Sequence, residues 1–563
     1  MSATRRDLLA ALAAVGVGTD PFRRSLVAQA AEQQPNRNPG VTAEMVKQAE
    51  WVAGITLSDK ERDAVARALT GTMFLVQSAR SVPLENAVAP AIYFNPTPGV
   101  VPHSSQRGKV VPPTGEVKKP AADDDLAFMP AHQLAQLLAS KQVSSVELAK
   151  FFLDRLHKYN PALLCVVSFT DDLAMKQAKQ ADEERAKGQL RGPLHGIPYG
   201  TKDLVAVPGY KTTWGAEHFK NQSFDTKATV YAKLESLGMV HLAKTTLGAL
   251  AMGDRWFGGM TRNPWDVKRG SSGSSAGSSS AVAAGCLPVA IGSETLGSIV
   301  SPSRECGVTG LRPTFGRISR AGCMTLSWTM DKIGPLCRNV TDCALMLDAL
   351  HGADPADPTS VTRPFDWPGS KPLKELKVGY FEGERRPGIE AAKKALTDQG
   401  ITFVPIKLPT KIPSQALYNI LKTETAAAFD DLTREGVNEG IGLWATPFRE
   451  GRFISGVDYI RANRLRTLLM QDMAKLMETV DLYLGGEDLL ITNLTGHPTI
   501  CLPGGFQKSG ENVRPYSVTF TGRLYGESEL LAVAKVYQDA TEHHLKRPDM
   551  SRVTVENAGP SKP

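Results

Sequence analysis

Cysteine is scarce in this chain. Seven in 563 residues, an odd number without short regular spacing, suggest neither a disulfide framework nor a zinc site. Unpaired cysteine behaves as a small apolar side chain, so buried free thiols are expected instead. Long apolar runs are missing too: no stretch approaches the roughly 20 residues that a membrane-spanning helix needs. Nor is there a long tract of one charge. The net charge is +7, with Lys and Arg spread among Asp and Glu, a pattern that argues against nucleic acid as the main partner. No grouping of His, Asp and Glu has metal-ligand spacing, and neither a metal nor another cofactor is expected.

What remains is a globular composition, 42% hydrophobic and 22% charged. The length exceeds what one core usually supports, so the chain holds more than one unit or one unusually large α/β unit. Residues 1–30 read as an address. Thr4-Arg5-Arg6-Asp7-Leu8-Leu9 precedes an Ala/Leu/Val/Gly stretch through Gly18, and Ala28-Gln29-Ala30 offers a small-residue cleavage site. This order resembles a twin-arginine export signal and implies a periplasmic or otherwise exported protein. The late second pair, Arg23-Arg24, departs from that pattern, and an ordinary basic tail would leave the protein cytoplasmic.

Residues 31–94 read as a helical N-terminal extension, with Val46, Ala49 and Ala53 on one helical face and a capping-box spacing from Ser58 to Glu61. Prolines at 96, 98, 102, 112, 113 and 120 make 95–124 a linker or strap, because proline disrupts regular pairing. From 125 to 548 strands alternate with helices. A capping box at Ser144 and Glu147 opens a helix that Asn160-Pro161 is expected to close, Leu163 to Phe169 and Gly196 to Lys202 read as strands, and Leu376 to Ile406 repeats strand, helix, strand. The fold class is α/β: a large, mixed but mostly parallel twisted sheet flanked by helices. Residues 549–563 form a C-terminal tail.

The most unusual segment is Gly270-Ser271-Ser272-Gly273-Ser274-Ser275-Ala276-Gly277-Ser278-Ser279-Ser280. A flexible Gly/Ser linker is the simplest reading. Against it, the run leads directly into helix-forming Ala281 to Ala284 and the strand-like Leu287 to Ile291. Small residues here let the backbone bend sharply and approach another chain or a ligand closely.

Taken with Gly196-Ile197-Pro198-Tyr199-Gly200-Thr201-Lys202-Asp203, Asn263-Pro264-Trp265-Asp266, Gly292-Ser293-Glu294-Thr295-Leu296-Gly297-Ser298-Ile299, Gly310 to Arg317, Asp331 to Leu336 and Asn493 to Pro498, the Ser-rich run resembles the amidase signature family. The likeness covers roughly residues 125 to 548. It implies an amide-bond hydrolase in which Lys202, Ser274 and Ser298 form a catalytic triad. Ser298 would be the nucleophile, Ser274 the bridging serine behind a cis Gly273–Ser274 peptide, and Lys202 the base that must be neutral to accept a proton. The same resemblance implies oxyanion and substrate contacts at Thr295, Leu296, Gly297 and Ser298, with Ser275 beside them.

Three residues depart from the family pattern. Leu296 replaces a small or acidic residue, Ala276 a glycine, and Val300 a position often held by arginine. They put the transfer of any relative's substrate in doubt while leaving the triad in place. His195, His241 and His497 read as structural histidines, Asp203 as a structural partner of the site, and Cys286, Cys306 and Cys323 have no visible histidine partner. A small or medium amide is the implied substrate, and homodimerisation is left open. Two other functions compete: the glutaminase-type subunit of a tRNA-dependent amidotransferase, whose small belt subunit Val41 to Val46 and Leu57 to Glu61 weakly resemble, and a catalytically silent binding protein on the same scaffold.

Overall fold

The computed structural model describes residues 40–53, 58–60, 62–63, 66–67, 70, 106–369, 371–451, 454–486 and 488–560. The chain divides into two compact units, Met1–Val88 and Ala89–Pro563. In the first, a helix runs Ala43–Ala53 with Val46 buried, and Arg62 pairs with Glu50 at 2.6 Å. Glu61 of the predicted capping box and the predicted export signal lie outside the described residues.

The second unit is organised by an eleven-stranded sheet. In chain order its strands are β1 Val166–Phe169, β2 Pro198–Lys202, β3 Val240–Thr245, β4 Val289–Glu294, β5 Thr309–Arg312, β6 Lys332–Cys337, β7 Lys377–Tyr380, β8 Thr402–Pro405, β9 Leu482–Leu484, β10 Thr499–Ser509 and β11 Asn512–Gly522. Across the sheet the order is β1-β3-β2-β4-β6-β5-β10-β11-β9-β7-β8. The sheet is mixed, but the expectation of mostly parallel strands does not hold. Parallel pairing is confined to β3–β2–β4 and β9–β7–β8, and the other neighbours run antiparallel. One cause is local: Gly510 and Glu511 join β10 to β11 through a two-residue turn, with Gly510 at φ 61°, and so short a connection closes only an antiparallel pair.

Every residue of β2, β3, β4 and β6 is buried. Because successive side chains point to opposite faces, both faces of this part of the sheet are covered. Helices Ser145–Leu163, Asp171–Ala186, Ala276–Ala283, Val340–Leu350 and Glu527–Thr541 pack on the sheet. The first opens with the capping box at Ser144 and Glu147. It does not stop at Asn160-Pro161. Pro161 sits in the last turn, where it removes one i→i−4 bond without stopping the helix, and the helix ends where Leu164 turns left-handed at φ 50°. Asn160 Oδ1 then accepts the N–H groups of Cys165 and Val166.

Residues 106–120 behave as a strap on this unit. The Val111 N–H donates to Trp367 O at 2.8 Å and the Trp367 N–H to Lys109 O at 2.9 Å. The C-terminal residues are also anchored, since the Arg262 guanidinium donates to the carbonyls of Ala558 and Gly559. All seven cysteines are buried and unpaired. Among the described residues, no helix is long and apolar enough to cross a membrane.

Candidate active site

The site is assembled where β2 and β4, parallel neighbours, both end. Lys202 is the last residue of β2 and is fully buried. Its Nζ lies 2.8 Å from Ser274 Oγ, 2.8 Å from Ser293 Oγ, 3.2 Å from Ser275 Oγ and 3.3 Å from Ser293 O. These partners are hydroxyls and a carbonyl. Burial pushes the Lys202 ammonium down to about 7, against the opposing pull of Asp331 and Glu294. A hydroxyl can donate to a neutral amine as readily as it accepts from an ammonium, so this cage suits either state.

The Ser-rich run is no linker. Residues 271–275 cross over Lys202 and feed the helix Ala276–Ala283, every residue of which is buried. The Gly273–Ser274 peptide is cis, as the resemblance implies. Close packing accounts for the small residues: a Cβ on Gly277 would lie 2.2 Å from Cys165 O and 2.4 Å from Thr246 N. Ser275 joins the loop to β4 by donating to Ser293 O at 3.0 Å and accepting the Ser293 N–H at 3.1 Å. The Ser275 N–H also donates to Ser298 O at 3.1 Å, which brings the Ser298 turn against the loop.

That turn follows β4. Ser298 is partly exposed, unlike the deeply buried Lys202 and Ser274. Among the described residues, the main-chain N–H groups of Thr295, Leu296, Gly297 and Ser298 find no acceptor, leaving four donors on a turn that carries a hydroxyl. Two carboxylates hold the turn's shape. Glu294 Oε2 accepts the N–H groups of Ile299 at 2.8 Å and Val300 at 3.0 Å, while Oε1 receives Arg312 at 2.7 Å and Asn493 at 2.8 Å. Burial would raise the Glu294 pKa, but Arg312, the Val300 N–H and Lys332 outweigh it and hold the carboxyl at about 2. Thr295 Oγ1 donates to Asp331 Oδ1 at 2.6 Å, and Asp331 Oδ2 accepts the N–H groups of Leu326 and Ser327. Burial pushes the Asp331 carboxyl up despite these donors.

Of the residues singled out in the sequence, Lys202, Ser274, Ser275, Thr295, Leu296, Gly297 and Ser298 meet here. Leu296 is half-buried and packs against the apolar cluster that contains Met330, Ile491 and Leu494, whereas Val300 and Ala276 are buried. His195, His241 and His497 are buried and partnered away from Lys202: His195 Nε2 lies 2.9 Å from Ala181 O, His241 Nε2 2.9 Å from Thr201 Oγ1, and His497 Nδ1 2.8 Å from Thr495 Oγ1. Burial holds His241 and His497 at about 3, so both stay neutral at physiological pH. Ser293, Glu294, Arg312, Asp331 and Asn493 lay in the quoted motifs without a role of their own. Among the described residues, no group of His, Cys, Asp and Glu could hold a metal ion.

A large mixed sheet thus ends in a buried lysine, a serine loop and a donor-rich turn. The amidase family model matches residues 147–486, and the chain belongs to that family, the amidase-signature enzymes, whose chemistry is hydrolysis of carbon–nitrogen amide bonds. A glutamyl-tRNA(Gln) amidotransferase subunit of Coxiella burnetii is 33% identical over 480 residues, covering 74% of this chain and 98% of that protein. Its counterpart from Carboxydothermus hydrogenoformans is 32% identical over 494 residues, 76% of this chain and 100% of that one. Among solved structures, the native peptide amidase of Stenotrophomonas maltophilia shares 28% identity at a TM-score of 0.66, covering 75% of this chain and 98% of its own.

Proposed function

We propose that the protein is a free-standing amidase that cleaves a small or medium amide through an acyl-enzyme on Ser298. The observation that carries this reading is the Lys202 amine, fully buried, 2.8 Å from Ser274 Oγ and shifted to about 7. An amide is a poor electrophile, and acylation followed by deacylation replaces one difficult step with two easier ones. Ser298 attacks the carbonyl carbon as its proton passes through Ser274 to neutral Lys202. The oxygen of the tetrahedral intermediate is met by the main-chain N–H groups of the 295–298 turn. Lys202 returns the proton through Ser274 to the departing nitrogen, which leaves as ammonia or an amine. Water then attacks the acyl carbon and gives its proton through Ser274 to Lys202, which returns it to Ser298 Oγ as the acyl–Oγ bond breaks and the carboxylate is released.

Mass spectrometry after trapping with a slow amide should place the adduct on Ser298. Ser298→Ala should lose turnover, and Lys202→Ala should fall by about 10²- to 10⁴-fold, the usual general-base contribution. Acylation should also decline as pH falls through about 7, because the ammonium accepts no proton. An adduct on Ser274, or a folded Lys202→Ala variant with near-normal rate and an unchanged profile, would overturn the scheme. A second reading, glutaminase chemistry within an amidotransferase, draws support from the likeness to the two amidotransferase relatives. Hydrolysis of glutamine in preference to aliphatic, aromatic and peptide amides would favour it.

A further inference from the structure

Lys202 and Lys244 are both fully buried on neighbouring strands. The β2–β3 register pairs Lys202 with Thr245 and Thr201 with Lys244, so alternation sends the two lysines to opposite faces of the sheet. On the Lys202 face, Thr245 Oγ1 meets Ser278 Oγ of the Ser-rich helix at 2.8 Å. On the other face, Asp203 brings its carboxylate to Lys244, with Oδ1 2.7 Å from Nζ, an ion pair in geometry rather than an aligned hydrogen bond. Asp203 Oδ2 accepts the N–H of Thr213 at 2.9 Å and its hydroxyl as well. Lys244 Nζ donates to Lys211 O at 2.7 Å and to Thr212 Oγ1. One carboxylate and two neutral acceptors suit the three protons of an ammonium. Lys202, among hydroxyls, has no such carboxylate partner among the described residues.

We propose that Lys244 is the counter-charge that neutralises Asp203 behind Lys202, so that the Asp203–Lys244 pair positions the end of β2 while presenting the base with an electrically neutral back face. The inference rests on the reading of Lys202 as the base. Asp203 follows Lys202 directly in the chain, and an unneutralised carboxylate behind the base in a water-poor interior would favour the ammonium and weaken the base at neutral pH. Two other carboxylates, Asp331 and Glu294, pull on Lys202 from its own side of the site, each held by its own donors. Glu294, at the end of β4, is held by Arg312 and Asn493. Asp331, ahead of β6, is held by Thr295, Leu326 and Ser327. Lys332 donates to Met330 O, and Asp254, beside the Ser-rich loop, accepts the Ser272 N–H at 2.9 Å. Asp203 is therefore the carboxylate whose balance depends on a single lysine. Both members of the pair are positioning residues, since they reach Lys202 only through the strand.

The test is the pH profile of phosphonylation of the full-length enzyme by a serine-directed fluorophosphonate, from about pH 5 to 10, with folding checked by circular dichroism. Lys244→Met should move the acidic midpoint up by on the order of one pH unit, because the bared carboxylate stabilises the ammonium. Asp203→Asn should move it down, because a bared cation opposes a second one. The double variant should return to the wild-type midpoint. A merely structural pair would lower the plateau without opposite displacements that cancel. Wild-type midpoints in both folded single variants, or a double variant displaced as far as Lys244→Met, would overturn the inference. If one single variant fails to fold, the other and the double decide. If neither folds, the double alone decides, and a displaced midpoint overturns the proposal. A Lys202→Ala control separates the two readings: retention of its acidic limb means that the base assignment has failed, whereas loss of that limb beside unmoved single variants means that only the charge-balance inference has failed.

Discussion

Lys202 surrenders its charge to sit at the end of β2, and that surrender has a thermodynamic signature separate from catalysis. In the folded protein its pKa is about 7, against an ordinary 10.5. Between these values the unfolded chain binds more protons than the native one, so on this group's account stability rises with pH. The cost of burial is fully present below about pH 7, fades as the pH rises from there towards about 10.5, and is gone above it. Lys202→Met removes the titrating group and keeps the bulk. Relative to wild type, the variant should therefore gain most at neutral pH, and the gap should narrow by about 3 kcal/mol between about pH 7 and pH 10. Any fixed loss from unpaired Ser274, Ser275 and Ser293 hydroxyls adds equally at both ends of that range. Urea unfolding of the two proteins at several pH values measures the difference, and a gap independent of pH would mean that the folded protein holds Lys202 charged.

The Ser-rich helix shows where element-level rules meet packing. Propensity alone predicts that Gly277→Ala stabilises the helix Ala276–Ala283 by up to about 1 kcal/mol, since glycine is a poor helix former. The new Cβ, however, would press within 2.2 Å of Cys165 O and 2.4 Å of Thr246 N, both backbone atoms, and overpacking of this kind costs about 1–3 kcal/mol. Gly277→Ala should thus be destabilised and should lose activity as the helix lifts from β3. A Tm equal to or above that of wild type would show that the packing is loose. The same element marks the limit of what could be read in the chain. The apolar runs that became β2 and β4, and the ordered motifs with Lys202, Ser274 and Ser298, were visible because each is local. The strand directions were not, because residues buried on both faces read alike in parallel and antiparallel pairs. Nor was the brace on the 295–300 turn, since Glu294 meets Arg312 and Asn493 across separations of 18 and 199 residues. The helix end at Leu164 rather than Asn160 depended on a single left-handed residue that no periodicity marks.

At the scale of the whole molecule, the seven cysteines bear on where the chain folds. All are buried and none is paired, although exported proteins that fold in an oxidising compartment commonly form disulfides. A chain that folds in the reducing cytoplasm hides its thiols before it meets an oxidant, and a twin-arginine signal carries proteins that are already folded. We propose that this protein takes that route, directed by Arg5 and Arg6 and cleaved after Ala28-Gln29-Ala30. In a bacterial host with an intact twin-arginine pathway, the wild-type chain should appear in the periplasmic fraction shortened by about 30 residues. Its thiols should resist alkylation until denaturant is added, because burial both blocks access and, for Cys286 and Cys323, pushes the thiol up to about 12. Arg5→Lys together with Arg6→Lys should leave a full-length, folded and active enzyme inside the cell. Unchanged export of that double variant would remove the twin-arginine assignment, and alkylation of several cysteines in the native periplasmic enzyme would remove the link between hidden thiols and folding before export.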